Sequence, residues 1–446
     1  MYFKQIESEG LAHYSYFVGE GGKAAVIDPR RDIEVYLECA RKEGLKITHI
    51  FETHRNEDYI IGSMELAEIT GASVYLSGHE DLGHVYGERI FDGDEFHIGN
   101  LRIQALHTPG HTLGHLSYVL YESNRSEPYM VFTGDCLFMG DLGRTDFYGE
   151  ENLDKMTGLL YDSVFNKLMP LGEDTLVFPA HGAGSACGEM MEDRPFTTLG
   201  YEKVFNPELQ ISTREEFIKS FGRMRIKPRY FENMEIRNIQ GAPFLGNQVQ
   251  LTPMQISDLK DDYLLLDCRS KEAYFGGHIP GSVFISKKNL SSYLGTLFEA
   301  DVPLVLITES KDRDTLETLY WYCKRIGFDN IIGFLPQGTE QWLAEGKNLE
   351  TLPTITAHDF LKLEDEYTLL DIRTPEDLEE DDPDKNLVNI PLQILYKEIN
   401  SLNKDHPIFI LCGSGDRSTT AAAYLKNHGY DGRVIAGGVL TLKPLI

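Results

Sequence analysis

The sequence predicts an α/β protein built from three domains, and three observations carry that expectation. Its 446 residues exceed what one hydrophobic core usually supports. Apolar β-type runs alternate with helix-type periodicity along most of the chain. The final part of the chain contains one pattern twice.

In the first block, up to about Pro179, the runs Tyr14–Val18, Ala24–Ile27, Ile47–Phe51 and Ser73–Leu76 read as strands and alternate with helical patterns such as Ile33–Gly44. From Cys187 to about Gln240 the chain reads as mostly helical or irregular. GAPFLGNQ, which follows, has the glycines and proline of a connection, so the first domain is expected over 1–245. Beyond it, LTPMQISDLKDDYLLLDCR lies over ITAHDFLKLEDEYTLLDIR, with Asp267 and Asp371 104 residues apart. The same offset lays Leu304–Ile307 over Ile408–Leu411 and Gly333 over Gly437. Two copies of one small domain are therefore expected, over 246–350 and 351–446, each a parallel sheet flanked by helices.

Bulk properties narrow the function classes. A hydrophobic fraction of 41% with 25% charged residues is that of an ordinary globular chain, not a disordered or fibrous one. A formal charge of −28 repels phosphate backbones and anionic lipid, so no nucleic acid and no membrane are expected as partners. The opening MYFKQIESEG has no apolar targeting core, and no run is long enough to span a bilayer. Six cysteines without CxxC pairs fit a reducing compartment, and the expected location is cytoplasmic.

In the last copy the strand-like PIFILC runs straight into GSGDRSTTAAAYLKNHG, which delivers Cys412 to a glycine-rich turn opening a helix. Backbone N–H groups of Gly413, Ser414, Gly415 and Asp416, with the positive end of the helix, favour an anion on the sulfur. Arg417 adds a fixed positive charge suited to an anionic sulfur or oxyanion. A buried cysteine ending a strand is the bland alternative.

DIRTPEDL together with CGSGDRS resembles the rhodanese domain, whose C-x4-R loop carries a persulfide on its cysteine. The resemblance implies that Cys412 and Arg417 are catalytic and that sulfur passes from a donor to a thiol, sulfite or similar acceptor. Gly437-Gly438-Val439-Leu440 departs from the aromatic ending usual in that family. DCRSKEAYFGGHIPGSVFI resembles the same family in the first copy, but Thr308 stands where Cys412 stands in the second, followed by ESKDR with Arg313. A threonine hydroxyl cannot carry a persulfide at neutral pH, so this copy reads as a non-catalytic spacer or docking domain. Cys268, read as lying inside a strand beside Asp267, is expected in the core.

In the first block four strand-like runs end in potential ligands: ITHIFETH at His54, RIQALHTPGH at His107 and His111, MVFTGD at Asp135, and TLVFPAH at His181. Strand ends in an α/β layer converge on one rim, which makes a metal site the expectation. The order ETH, HTPGHTxGH, GDCLF and PAHG resembles the metallo-β-lactamase superfamily over about Tyr14 to Cys187, implying an αββα sandwich. That family's signature is H-x-H-x-D-H, whereas this chain reads His54-Arg55-Asn56-Glu57-Asp58-Tyr59. Asn56 and Tyr59 replace two imidazoles, so the usual two-metal site is not expected.

His54, His111 and Asp135 survive, the ligand set of the superfamily's mononuclear-iron members, the persulfide dioxygenases. Two histidines and one carboxylate leave positions open on Fe(II), although a zinc hydrolase uses a similar set and an empty scaffold is a further alternative. Arg144, in GDCLFMGDLGRTDF, matches an arginine that those dioxygenases place beside the substrate; pairing with Asp146 is the other reading. His181 is a candidate for the metal's outer shell, and Cys187 for a sulfur relay or an inert loop thiol. His107 and His115 are expected to orient the loop. The resemblance thus implies Fe(II), with zinc as alternative, a small-thiol persulfide, O2 and sulfite as reactants, and a homo-oligomer, dimer or tetramer. A thioester hydrolase and a pure sulfur relay are the rival functions.

Overall fold

A computed structural model describes residues 1–123, 125–185, 187–188, 190–211, 213–246, 249, 251–309, 312–379 and 385–446. The chain divides into two compact units, Met1–Arg225 with Phe231–Asn247, and Ile226–Tyr230 with Gln248–Ile446.

The first unit is an αββα sandwich. One six-stranded sheet runs Tyr2–Ser8, His13–Glu20, Lys23–Ile27, Lys46–Phe51, Ser73–Ser77 and Glu88–Ile90 in spatial order. The other runs Thr197–Thr198, Leu176–Pro179, Met130–Gly134, Leu116–Tyr121, Leu101–His107 and Glu95–Ile98. Period-two alternation explains the layering. Tyr16 and Val18 point between the sheets to meet Phe51, Leu116, Tyr118 and Phe132, while Phe17 points outward with Val26 and Ile50 onto helix Glu34–Glu43. On the far face Val119, Val131 and Val177 take Leu160 of helix Leu153–Ser163 and Phe217 of helix Arg214–Phe221. Because both faces are covered, seven of the eight residues of His13–Glu20 are buried.

This packing brings the C-terminal ends of Lys46–Phe51, Leu101–His107, Met130–Gly134 and Leu176–Pro179 to a common rim, from which the loops carrying His54, His111, Asp135 and His181 leave. Among the described residues no helix is long and apolar enough to cross a membrane.

The second unit holds two all-parallel sheets. The first is ordered Val283–Phe284, Leu264–Asp267, Leu304–Ile307, Ile331–Leu335, and the second Thr354–Ile355, Gly432–Ile435, Ile408–Leu411, Thr368–Asp371, Leu387–Asn389. In each copy the strand-end aspartate binds the arginine two residues on in a fork: Arg269 Nε and one Nη to Asp267 at 2.9 and 2.7 Å, Arg373 to Asp371 at 3.1 and 2.7 Å. Thus the aspartate and arginine of the repeated D-x-R pin the strand end rather than face a substrate.

Gly333 does not match Gly437: it pairs with Val305 inside its strand, where Arg433 pairs with Phe409 in the second copy. The offset shrinks beyond the long helices, whose closing glycines Gly327 and Gly429 lie 102 apart, so Gly338 takes the place of Gly438. Cys268 lies just past the strand Leu264–Asp267 and is only partly buried.

Candidate functional site

His54 follows strand Lys46–Phe51 directly after Thr53, which has an unusual anchor. Asp28, in a left-handed conformation (φ 48°), accepts from the Thr53 backbone N–H at 2.8 Å and from the Thr53 hydroxyl at 2.7 Å. With Asp28 ionised, the Thr53 hydroxyl gives it its only proton, so Thr53 Oγ1 accepts from His54 Nδ1, 2.8 Å away. His54 Nε2 is thereby left with its lone pair toward the interior. His111 is set in the same way, because the Arg144 carbonyl 2.9 Å from Nδ1 can only accept. Both imidazoles thus have the tautomer that a metal requires.

Asp135 follows Met130–Gly134. Its backbone N–H donates to His115 Nε2 at 3.0 Å, while His115 Nδ1 lies 2.9 Å from Thr108 Oγ1. Burial takes His115 down to about 3, so it stays neutral and able to accept. Asp135 Oδ1 takes the proton of His181 Nδ1 at 2.7 Å, leaving Oδ2 to face His111 Nε2 at 3.6 Å and His54 Nε2 at 3.9 Å. Those three atoms are buried and make no well-directed hydrogen bond among the described residues, although His111 Nε2 has a Glu57 carboxylate oxygen at 2.9 Å. Three such donors converging on one point fit a cation, since orphaned buried polar atoms are costly otherwise. Burial, helped by the neighbouring imidazoles, holds His54 well below its usual value, so it is a neutral ligand.

A fourth donor, Glu57, joins the cluster, and sequence reasoning missed it. Its Oε1 lies 2.9 Å from His111 Nε2 and its Oε2 3.8 Å from His54 Nε2, at 1% exposure. The available signal was a carboxylate inside the altered H-x-H-x-D-H stretch.

The positions of the two missing imidazoles serve structure. Asn56 donates to the His54 carbonyl at 3.3 Å, and its own carbonyl accepts from Asn238 at 2.7 Å. Tyr59 packs against His13 with ring centres 4.0 Å apart. Asp58 Oδ2 sits 2.8 Å from His181 Nε2, so His181 bridges Asp58 and Asp135. Burial opposes its charge, but these two carboxylates prevail and raise His181 well above its usual value.

Cys187 lies in this second cluster with Asp58 and His181; burial pushes its thiol up, which disfavours a thiolate there. Arg144 directs Nε and one Nη to Asp146, both at 2.7 Å, and the same Nη donates to the Arg225 carbonyl at 3.2 Å. Its guanidinium also lies over the Phe147 ring. His107 bonds the Leu113 carbonyl at 2.8 Å and stacks on His79. Beside His54 lies a narrow cleft lined by Glu52, Arg55, Ser77, Glu80, His84 and Gly114 among others.

In the second unit Cys412 ends strand Ile408–Leu411, and the Gly415 N–H donates to its sulfur at 3.1 Å. Gly415, at φ 90°, caps helix Asp416–Asn427 without a side chain. The loop is held from behind by Val439 N–H on the Cys412 carbonyl (2.8 Å) and Leu440 N–H on that of Gly413 (3.2 Å). Gly438 is required there, because a Cβ would lie 2.1 Å from the Cys412 oxygen. Arg417 reaches Asp377 at 3.4 Å, and Asp416 accepts from Asn289 at 2.7 Å and Ser286 at 3.0 Å, both of the first copy. Ser310 and Lys311 of the first copy's loop lie outside the described residues.

Residues 9–181 match the metallo-beta-lactamase superfamily model, and residues 252–345 and 356–442 the rhodanese-like domain model. The chain is 32% identical to human "persulfide dioxygenase ETHE1, mitochondrial" over 231 residues, 49% of this chain and 80% of that one. It is 28% identical to "hydroxyacylglutathione hydrolase GloC" of Haemophilus influenzae over 206 residues, 42% of this chain and 87% of that one. A crystal structure of a metallo-beta-lactamase from Staphylococcus aureus, 31% identical, superposes with a TM-score of 0.68, covering 75% of this chain and 98% of that one. With these matches over its N-terminal half and its repeat, the chain belongs to the metallo-β-lactamase superfamily, as a persulfide dioxygenase homologue followed by two rhodanese-like domains.

Proposed function

We propose that the chain oxidises the terminal sulfur of a low-molecular-weight thiol persulfide with O2, releasing thiol and sulfite, and moves sulfane sulfur through Cys412. The observation that carries the first half is the set of three buried donor atoms without a well-directed hydrogen bond, His54 Nε2, His111 Nε2 and Asp135 Oδ2, on one point, with Asn56 and Tyr59 where a second ion would need imidazoles. They would hold one Fe(II), which when bound supplies the one-electron chemistry that lets O2 react with a sulfur anion. Asp28 and Thr53 fix His54, the Arg144 carbonyl fixes His111, and His181 holds the other oxygen of Asp135. The cleft beside His54, with Arg55 on its wall, is where the carrier thiol is expected to lie. Overall, RSSH, O2 and water give RSH, sulfite and two protons.

At Cys412 the Gly415 N–H, the helix start and Arg417 support a persulfide anion on the sulfur. Sulfite attacking the outer sulfur of that persulfide leaves as thiosulfate and returns the Cys412 thiol. Having both activities in one chain raises the effective concentration of one product at the other site. In this reading 1–245 is the oxygenase domain, 246–350 the cysteine-free copy of the loop, and 351–446 the transferase. This reading expects the protein in the reducing cytoplasm, as a homo-oligomer.

Product analysis tests the division of labour. Cys412→Ala should keep O2 uptake and release sulfite in place of thiosulfate. Loss of O2 uptake in that variant would favour a sulfur relay in which the first domain only binds a partner. The match to a hydroxyacylglutathione hydrolase supports a second reading, a zinc thioester hydrolase, which expects acyl-glutathione cleavage without O2 uptake.

A further inference from the structure

Glu57 is a buried carboxylate for which the proposed reaction so far has no use. It stands between Asn56 and Asp58, whose side chains turn to the His54 carbonyl and to His181, yet its own carboxylate turns to the cluster of buried donors. Besides the imidazole nitrogens of His111 and His54, its Oε1 meets the Cys187 thiol at 3.9 Å. A carboxylate this deep needs a positive partner. In this structure a proton on His111, whose Nε2 lies 2.9 Å from Glu57 Oε1, would serve as that partner, and a cation at the same point would take the proton's place. One atom from each of His54, Glu57, His111 and Asp135 lies within 4.8 Å of every other. Donors bound at about 2.0–2.2 Å to one ion are about 3 to 4 Å apart, so small adjustments bring all four onto a shared centre.

We infer that Glu57 is a fourth protein ligand to the ion held by His54, His111 and Asp135, giving a two-histidine, two-carboxylate centre. This rests on the single-metal reading above. Two carboxylates balance a divalent charge, so the resting centre is neutral and attracts an anionic persulfide less than a three-ligand centre does. A second oxygen donor also shifts preference toward harder divalent ions. One fewer position remains for small molecules, so ligands must enter beside a fixed carboxylate.

The test uses the full-length chain stripped of metal and titrated with Co(II) alone, read by visible absorption. Wild type is expected to bind one equivalent tightly. Glu57→Gln should bind at least two orders of magnitude more weakly with a changed visible spectrum, a loss beyond the roughly 10- to 100-fold that an outer-shell partner costs. A Glu57→Gln chain that binds Co(II) within threefold of wild type, with a superimposable spectrum, overturns the assignment. A crystal structure of the wild-type Co(II) complex decides without any variant: the ion at about 2.2 Å from a Glu57 oxygen supports it, and one beyond about 3.5 Å overturns it. Failure of wild type itself to bind Co(II) would overturn the single-metal reading as well, which separates the two claims.

Discussion

Each of the two rhodanese copies has its own parallel sheet, a pinned Asp–Arg pair and a long helix, yet they treat one aspartate in opposite ways. In the first copy Asp312 caps its own helix, accepting from the Thr315 N–H at 3.1 Å, so the positive helix end already has an anion. In the second, the equivalent Asp416 is drawn aside by Asn289 and Ser286, Gly415 caps with no side chain, and its N–H turns to the Cys412 sulfur. The first copy has therefore lost more than a cysteine. It has placed a carboxylate on its helix start, while two of its side chains hold the equivalent Asp416 in its neighbour.

The largest effect should come from Cys412→Ala, which is expected to lower sulfur transfer from thiosulfate to cyanide by about a thousandfold or more, whereas Thr308→Ala leaves it within twofold. Thr308→Cys in a Cys412→Ala background should restore nothing, because Asp312 still caps the helix; recovered transfer would break the comparison. Gly438→Ala, which would place a methyl 2.1 Å from the Cys412 carbonyl, should collapse transfer and lower the Tm. Gly338→Ala, where the nearest atom is the Thr308 carbonyl at 3.4 Å, should cost only about 1–2 kcal/mol of left-handed strain, read by denaturant unfolding. The smallest effect is expected from Asn289→Ala: about a fivefold loss of transfer, or about 1 kcal/mol, with the fold retained by circular dichroism. Unchanged kinetics there would show that Asp416 needs no support from the first copy.

Strand positions and the repeat were legible because period-two burial and strand-end motifs are local: Tyr16 and Phe17 face opposite layers as their alternation requires. The convergence of His54, His111 and Asp135 followed from the resemblance and from where strand ends meet. Glu57 was illegible because a glutamate in a turn ordinarily faces water, and only the path of the 54–59 loop turns it inward. The Gly333–Gly437 match failed because a constant offset cannot register residues lost between helix and strand. The different fates of Asp312 and Asp416 depend on contacts between the copies, which no pattern within either copy records. Arg144 had two readings at the sequence level, and its fork on Asp146 is visible only in three dimensions.

The central claim concerns the first unit: that His54, His111 and Asp135 hold an iron that oxidises persulfide. The most direct measurement is metal analysis of anaerobically purified protein, with O2 uptake followed on adding glutathione persulfide. About one iron per chain, with uptake that vanishes in His111→Ala, is the expected result. Bound zinc, or no uptake under any iron loading, would contradict it.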